Sequence, residues 1–256
     1  MMRKLRRPLP LLIAVLALAA CASAYAVKAE IGPDWASATA QFSPNVLPKK
    51  GGAPIALSSI TRIGNSEGKS PPTLTTMIFL FDKNGYLDTK DLPTCTVAKL
   101  EGATPSEARK RCAGAMVGEG TGKAIVSLPG AAPVRVSSPL SFFNGPKEGG
   151  KPTVIVHAYE TIPAPKALVL SVPIERIKHG RYGYRVQIEV PPIAGGYGAA
   201  TLAEATIEAT RKRGGKKVGY MNAACNGGRL QVYGTLSFAN GNFFPAVLAS
   251  SCHTPD

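Results

Sequence analysis

Tyr184-Arg185-Val186-Gln187-Ile188-Glu189-Val190 alternates apolar and polar side chains without a break. Successive side chains of an extended strand point to opposite faces. The run therefore places Tyr184, Val186, Ile188 and Val190 on a buried face and Arg185, Gln187 and Glu189 in water. Leu74–Phe81, Thr153–Tyr159, Ala167–Ile174, Arg229–Phe238 and Phe243–Cys252 are strand-sized and rich in β-branched or aromatic residues. Ala53–Ile60, Gly122–Leu128 and Val218–Cys225 are further strand candidates. Thr201–Lys212 is readable as a helix. Yet Ala203, Ala205, Ile207 and Ala209 alternate with Glu204, Thr206, Glu208 and Thr210, which favours a strand. Between these runs lie turn residues: Asn84-Gly85, which suits a type I′ turn, Gly214-Gly215, Asn226-Gly227-Gly228 and Asn240-Gly241. Many short strands with such turns predict a mainly β chain, an antiparallel β-sandwich or a barrel-like sheet, its last third a meander. The Pro- and Gly-rich stretch 129–152 either splits two subdomains or lies within one continuous sandwich.

One short helix is expected near residues 105–113. Thr104-Pro105-Ser106-Glu107 has a capping hydroxyl, proline at the first helical position and glutamate at the third. In this box each side chain satisfies a backbone N–H that the helix start leaves orphaned.

The N-terminus predicts export. Met1–Arg7 holds four basic residues and no acid, and Leu11–Ala20 is ten apolar residues long. Ala22-Ser23-Ala24 and Ala24-Tyr25-Ala26 follow as small-residue cleavage sites. These are the three parts of a signal peptide over residues 1–26. The apolar run is too short to cross a bilayer as a helix, which takes about 20 apolar residues. Leu18-Ala19-Ala20-Cys21 also has the form of a lipobox. Cleavage after Ala20 would leave Cys21 as a lipid-bearing N-terminus, whereas cleavage after Ala24 or Ala26 would release the chain. Residues 27–48, with Gly32-Pro33, Ser43-Pro44 and Leu47-Pro48, read as a spacer carrying Trp35 ahead of a β-rich domain over 49–256.

Beyond Cys21 the cysteines are Cys95, Cys112, Cys225 and Cys252. An even number in an exported chain reads as disulfides. Of the three pairings, Cys95–Cys112 with Cys225–Cys252 is the most local and is favoured. A zinc site lacks the ligand spacing: there is no C-x-x-C, and His253 beside Cys252 is a single adjacent pair.

The formal charge is +14, and a chain beginning at Val27, having shed four basic and no acidic residues, carries +10. Such a balance favours anionic partners by long-range attraction: wall polymers, acidic lipids, nucleic acid or acidic glycans, with no specific nucleic-acid partner expected. Arg211, Lys212, Arg213, Lys216 and Lys217 gather at the predicted Gly214-Gly215 hairpin tip, a candidate anion-binding site. Lysines there also serve to keep strand edges soluble.

No motif carries chemistry. Asp82-Lys83-Asn84-Gly85-Tyr86-Leu87 lacks the ligands of a calcium loop at its fifth position and the glycine at its sixth. Gly118-Glu119-Gly120-Thr121-Gly122-Lys123-Ala124 lacks both the first glycine and the hydroxyl of a phosphate loop, and reads as a glycine-rich turn before a strand. His157, His179 and His253 accompany no nucleophile elbow. Glu160, Glu175 and Glu189 are carboxylates available to a glycosidase-type pair, which need not be close in sequence. No catalytic, metal or cofactor residues are assigned.

Pro191-Pro192-Ile193-Ala194-Gly195-Gly196-Tyr197-Gly198, Gly215-Lys216-Lys217, Tyr220–Cys225 and Phe238-Ala239-Asn240-Gly241 resemble the C-terminal half of a group of exported actinobacterial proteins of unknown function. Leu92-Pro93-Thr94-Cys95 and Cys112–Gly120 resemble their N-terminal half. The resemblance lends no activity. The expectation is an exported, disulfide-stapled β protein, secreted or in the cell envelope, which meets a membrane only through a lipid on Cys21. It would act by binding or as an envelope component; the competing expectation is an extracellular hydrolase.

Overall fold

The structure is a computed structural model describing residues 27–255. The expected signal peptide over 1–26 and the candidate lipidation site Cys21 lie outside the described residues. In chain order the elements are β1 (Val27–Ile31), β2 (Asp34–Ser43), β3 (Ala53–Pro54), β4 (Ala56–Asn65), β5 (Leu74–Asp82) and β6 (Gly85–Leu87). Helices α1 (Val97–Leu100) and α2 (Pro105–Arg111) precede β7 (Met116–Val126), β8 (Val134–Glu148), β9 (Lys151–Glu160), β10 (Lys166–Arg176) and β11 (Tyr182–Glu189). Then come β12 (Gly198–Ile207), β13 (Thr210–Arg213), β14 (Lys216–Gly219), β15 (Met221–Ala223), β16 (Arg229–Phe238) and β17 (Phe243–Ser251).

Twelve strands form one antiparallel sheet in the order β1-β2-β4-β12-β7-β8-β9-β10-β11-β5-β16-β17. The sheet rolls until β17 lies against β1 and β2, giving the barrel-like, mainly β fold expected from the sequence. No ladder closes this seam along its length. Asp34 in β2 accepts from the amides of Asn240 (3.2 Å) and Asn242 (2.9 Å) in the β16–β17 turn. At the other end Val46 and His253 form a parallel bridge, with Leu47 N–H donating to the His253 carbonyl (2.9 Å).

Alternation along every barrel strand sends one set of side chains inward and the other outward. Apolar residues go in, while Arg62, Lys123, Arg185 and Glu189 project outward. That is the inverse of a membrane-spanning barrel, whose lipid-facing exterior is apolar. Among the described residues no helix is long and apolar enough to cross a membrane. The small sheet β3-β15-β6 closes one end of the barrel, where Ile55 and Ala223 pack against Phe42, Leu57 and Leu230. The two helices cover the outer wall of β8–β10: Leu100, Ala103 and Ala108 bury Phe143 and Ile155 there.

The helix forms as its capping box predicts. Thr104 N–H donates to Glu107 Oε2 (2.8 Å), and Glu107 N–H donates to Thr104 Oγ1 (3.4 Å). Both favoured disulfides are present, Cys95–Cys112 and Cys225–Cys252.

Four local expectations are corrected. Residues 27–48 are not a spacer for most of their length: β1 and β2 occupy 27–43 and pair across Val27↔Ala38 to Ile31↔Asp34. Ala36, Ala38 and Ala40 form an inward face that is too small to register as a hydropathy pattern. The 118–122 glycines lie inside β7, not in a turn. Asn84-Gly85 is not a type I′ hairpin, because neither residue has a positive φ. Instead Asp82 Oδ1 accepts from Asn84 N–H (3.0 Å), an Asx turn that leads β6 away from β5 into the end sheet. The runs 201–212 and 218–225 each divide, at Glu208-Ala209 and at Tyr220, so that β13 and β14 peel off as a separate hairpin. Stretch 129–152 carries β8, which pairs with both β7 and β9, so the sheet is continuous through it.

Candidate functional site

The side chains of the described residues do not fill the barrel. Its lumen holds two lobes of about 250 Å³ and about 270 Å³. Seven wall residues belong to both lobes, among them Ser59, Phe79, Phe142, Val156, Ile188 and Ala205, which makes them halves of one lumen meeting at a waist. Each lobe exceeds the apolar cavity of about 150 Å³ that suffices to bind benzene.

The void follows from which residues face each other. On one side, pairing registers align small inward residues in rows. Ala40 lies across from Ser59, Ser59 from Ala205, and Ala205 from Gly120. The next row is Ala38, Thr61, Ala203 and Gly122. On the other side, β8–β11 and β5 point Leu140, Phe142, Val156, Leu170, Ile188 and Phe79 inward. The small wall does not reach across to the large one. Leu140, Val156, Leu170 and Ile188 accordingly stay only half-buried although they point into the barrel.

Gly118 and Gly120 shape the corner where the small wall folds over. A Cβ on Gly120 would overlap the Glu204 carbonyl, lying 2.9 Å from its carbon, and one on Gly118 would overlap the Thr206 carbonyl. Only glycine lets β12 bend this closely across β7, the use expected of glycine at a barrel corner.

The first lobe abuts the closed end, with Tyr220, Met221 and Asp82 in its wall. The second lies at the opposite rim beside Glu160, Ile162, Pro191 and Ile193. There Glu160 accepts from the N–H of Ala194 (2.9 Å), tethering a turn over Ile193–Gly196 whose central residues Ala194 and Gly195 are left-handed. Ala194 is buried with φ 50°, a left-handed conformation that costs a non-glycine residue about 1–2 kcal/mol.

The residues singled out in the sequence are dispersed. Glu160 sits on the rim. Glu175 lies on the outer wall, where the Lys151 ammonium (2.7 Å) and then Arg185 (3.1 Å) hold its carboxyl below the usual range. Glu189 is also outside, held low by hydrogen bonds from Gln187 and Thr76. A glycosidase needs one acid with a raised pKa facing a second carboxylate across the substrate. Neither Glu175 nor Glu189 has that environment.

His157 is fully buried under the helices, its Nε2–H donating to the Ala103 carbonyl (2.9 Å). Ser141 stands opposite it in the ladder and is equally buried. The helices cover the pair, and the His157 hydrogen bond to Ala103 ties the cap to the barrel. His179 and His253 are exposed. Trp35 packs on the outer wall against Gly64, with the Lys28 ammonium 5.4 Å from its ring centroid.

The basic tip is a real hairpin with Gly214 and Gly215 at φ 57° and 76°, but two of its cations are engaged. Arg211 and Arg213 both bond Asp88 at 2.6 Å. The Arg213 guanidinium, assisted by the Lys90 amide and Arg211, holds the Asp88 carboxyl below its usual range. Lys212, Lys216 and Lys217 remain exposed.

The lumen is the feature that sequence reasoning missed. Its signal is small residues at alternate positions of β2, β7 and β12, with Ser59 and Thr61 beside them in β4. No protein-family model, curated protein or solved structure matches the chain.

Proposed function

We propose that this protein is a non-catalytic carrier that holds one apolar molecule in its barrel lumen outside the cytosol. The observation that carries the reading is the two-lobed apolar void. Protein interiors are packed nearly without holes. A void of about 250 Å³ walled by apolar side chains is where an apolar molecule's surface would be removed from water. The wall also has the composition of a ligand pocket, mostly apolar with a few polar groups.

Two disulfides support an oxidising compartment, and with them the exported, secreted or envelope setting that the N-terminus suggests. Membership of the exported actinobacterial group belongs to the same proposal. Lys212, Lys216 and Lys217 on the hairpin suit an anionic envelope polymer or lipid surface as the place where cargo is collected or delivered.

Titration with N-phenyl-1-naphthylamine, a neutral dye that brightens in apolar surroundings, tests the reading. The expected result is a saturable rise at one dye per chain with micromolar affinity. A linear, unsaturable rise would mean surface partitioning and would remove the carrier assignment.

A further inference from the structure

The two ends of the barrel differ in charge. Six connections lie at the end away from the small β3-β15-β6 sheet: residues 32–33, 66–73, 127–133, 161–165, 190–197 and 239–242. Together they contain one acid and one base, Glu67 and Lys69, which bridge each other at 2.7 Å. The connections at the opposite end hold the exposed Lys49, Lys50, Lys83 and Lys178 besides the hairpin lysines. A strongly basic chain thus leaves one end almost free of charge.

That end is also apolar on its outside. Of the seven large apolar side chains exposed among the described residues, four sit there: Ile31, Val134, Tyr197 and Phe243. Ile31 ends β1 and Phe243 opens β17, one on each side of the seam. Val134 opens β8 and Tyr197 precedes β12, and both of these strands pair with β7 at Val126. The four therefore stand around the rim. Trp35, the single tryptophan, faces outward one residue from the start of β2. The second lobe reaches the same end, where Ile162, Pro191 and Ile193 belong to its wall.

Behind this lip comes a collar of cations. Arg135 is the second residue of β8 and Lys166 the first of β10. Arg62 and Lys123 lie three residues short of the ends of β4 and β7, about 10 Å back at roughly 3.3 Å per residue. All four are exposed, and none is in an ion pair among the described residues. Most nearby acids are engaged: Glu30 with Lys28, Glu67 with Lys69, and Glu160 with the Ala194 N–H. Glu189 and Glu204 are the exposed acids left beside the collar, fewer than its cations.

An uncharged apolar lip backed by cations matches the layering of a bilayer surface, acyl chains and then phosphates. Apolar residues, with Trp and Tyr, settle at the headgroup–acyl boundary, and Lys and Arg are drawn to anionic headgroups. We infer that this end of the barrel docks on an anionic phospholipid surface. Ile31, Val134, Tyr197 and Phe243 enter the acyl boundary, and Arg62, Lys123, Arg135 and Lys166 meet the phosphates. The contact needs no lipid on Cys21. It rests on the outside of the barrel, so it holds whether or not the lumen carries cargo. It turns the hairpin lysines away from the bilayer, toward a polymer beyond it.

Vesicle flotation tests the inference on the exported protein carrying Cys21→Ser, which removes any acyl anchor. The vesicles are phosphatidylcholine alone or a mixture with roughly one third phosphatidylglycerol. The protein should float with the anionic vesicles at low salt and far less with the neutral ones. Val134→Ser with Tyr197→Ser should weaken binding about tenfold or more, the worth of two side chains no longer removed from water. Arg135→Glu with Lys166→Glu should weaken it by a similar factor. All four side chains are exposed, and an unchanged urea midpoint shows that each variant is folded. Lys212→Glu with Lys216→Glu, at the other end, should leave flotation unchanged. With no further substitution, brominated phosphatidylcholine in the anionic vesicles should quench Trp35, a reading that needs no rim variant. Failure to float, loss of flotation in the hairpin variant alone, or absence of quenching would overturn the inference. Rim-dependent pairing of two chains in sedimentation velocity would overturn it too, by making a second copy the occupant.

Discussion

Gly120→Ala should lose about 3–5 kcal/mol of stability, whereas Gly122→Ala, two residues along the same strand and on the same face, should be neutral or slightly stabilising. The two glycines differ in what a methyl group meets. At Gly120 it meets backbone, the Glu204 carbonyl and the Ala205 Cα at 3.0 Å, which can yield only if β12 shifts against β7. At Gly122 its nearest neighbour is Leu140 Cδ2 at 3.7 Å, ordinary contact with a lumen side chain. Gly122→Ala also reduces the freedom of the unfolded chain, worth about 0.4–1 kcal/mol where the native conformation allows it. Urea unfolding of the pair measures the difference directly. For a domain of this size, with roughly 2–4 °C of Tm per kcal/mol, the gap should approach 10 °C or more. Equal stabilities would mean that the corner between the two walls is not bent as described.

The second large effect belongs to the Cys225–Cys252 disulfide. Replacing both cysteines with alanine should cost about 3–4 kcal/mol, because the bond closes a loop with a sequence separation of 27. Its location adds a structural readout. Cys225 and Cys252 pack with Leu47, Leu230 and Leu248, immediately beside the Val46–His253 bridge that holds the unladdered seam. Amide exchange at Leu47 and His253 should therefore accelerate more than exchange in β9 or β10, which sit far from the seam in the strand order. Loss of Cys95–Cys112, with a separation of 17, should instead loosen the helical cap over Phe143 and Ile155 and leave the seam amides protected. Uniform acceleration after loss of Cys225–Cys252 would show that the seam opens only with the whole barrel.

Legibility in the sequence depended on side-chain size. Tyr184–Val190 and Leu74–Phe81 were recognisable as strands because large apolar residues alternate or cluster there. β2 and the first half of β7 were not, since Ala36, Ala38 and Ala40 or Gly118 and Gly120 contribute little hydropathy while still forming full ladders. The lumen exists only where these small faces come into register with Ser59 and Ala205, which no local window contains. Capping at Thr104 and the cysteine pairing were legible because each rests on a short stretch of chain. The basic tip was legible as a hairpin, but its neutralisation was not: Asp88, the partner of Arg211 and Arg213, lies 123 residues before Arg211.

Methyl-resolved NMR of the protein with and without butylbenzene tests most directly whether the lumen takes up an apolar molecule. Methyl groups of Leu140, Val156, Leu170 and Ile188 line the lobes, whereas Val247 and Ile31 are exposed on the outside. The predicted result is saturable shifts for the first set at one ligand per chain, with the second set unmoved. Shifts confined to Val247 and Ile31, or no shifts at all under saturating butylbenzene, would contradict a ligand-binding lumen.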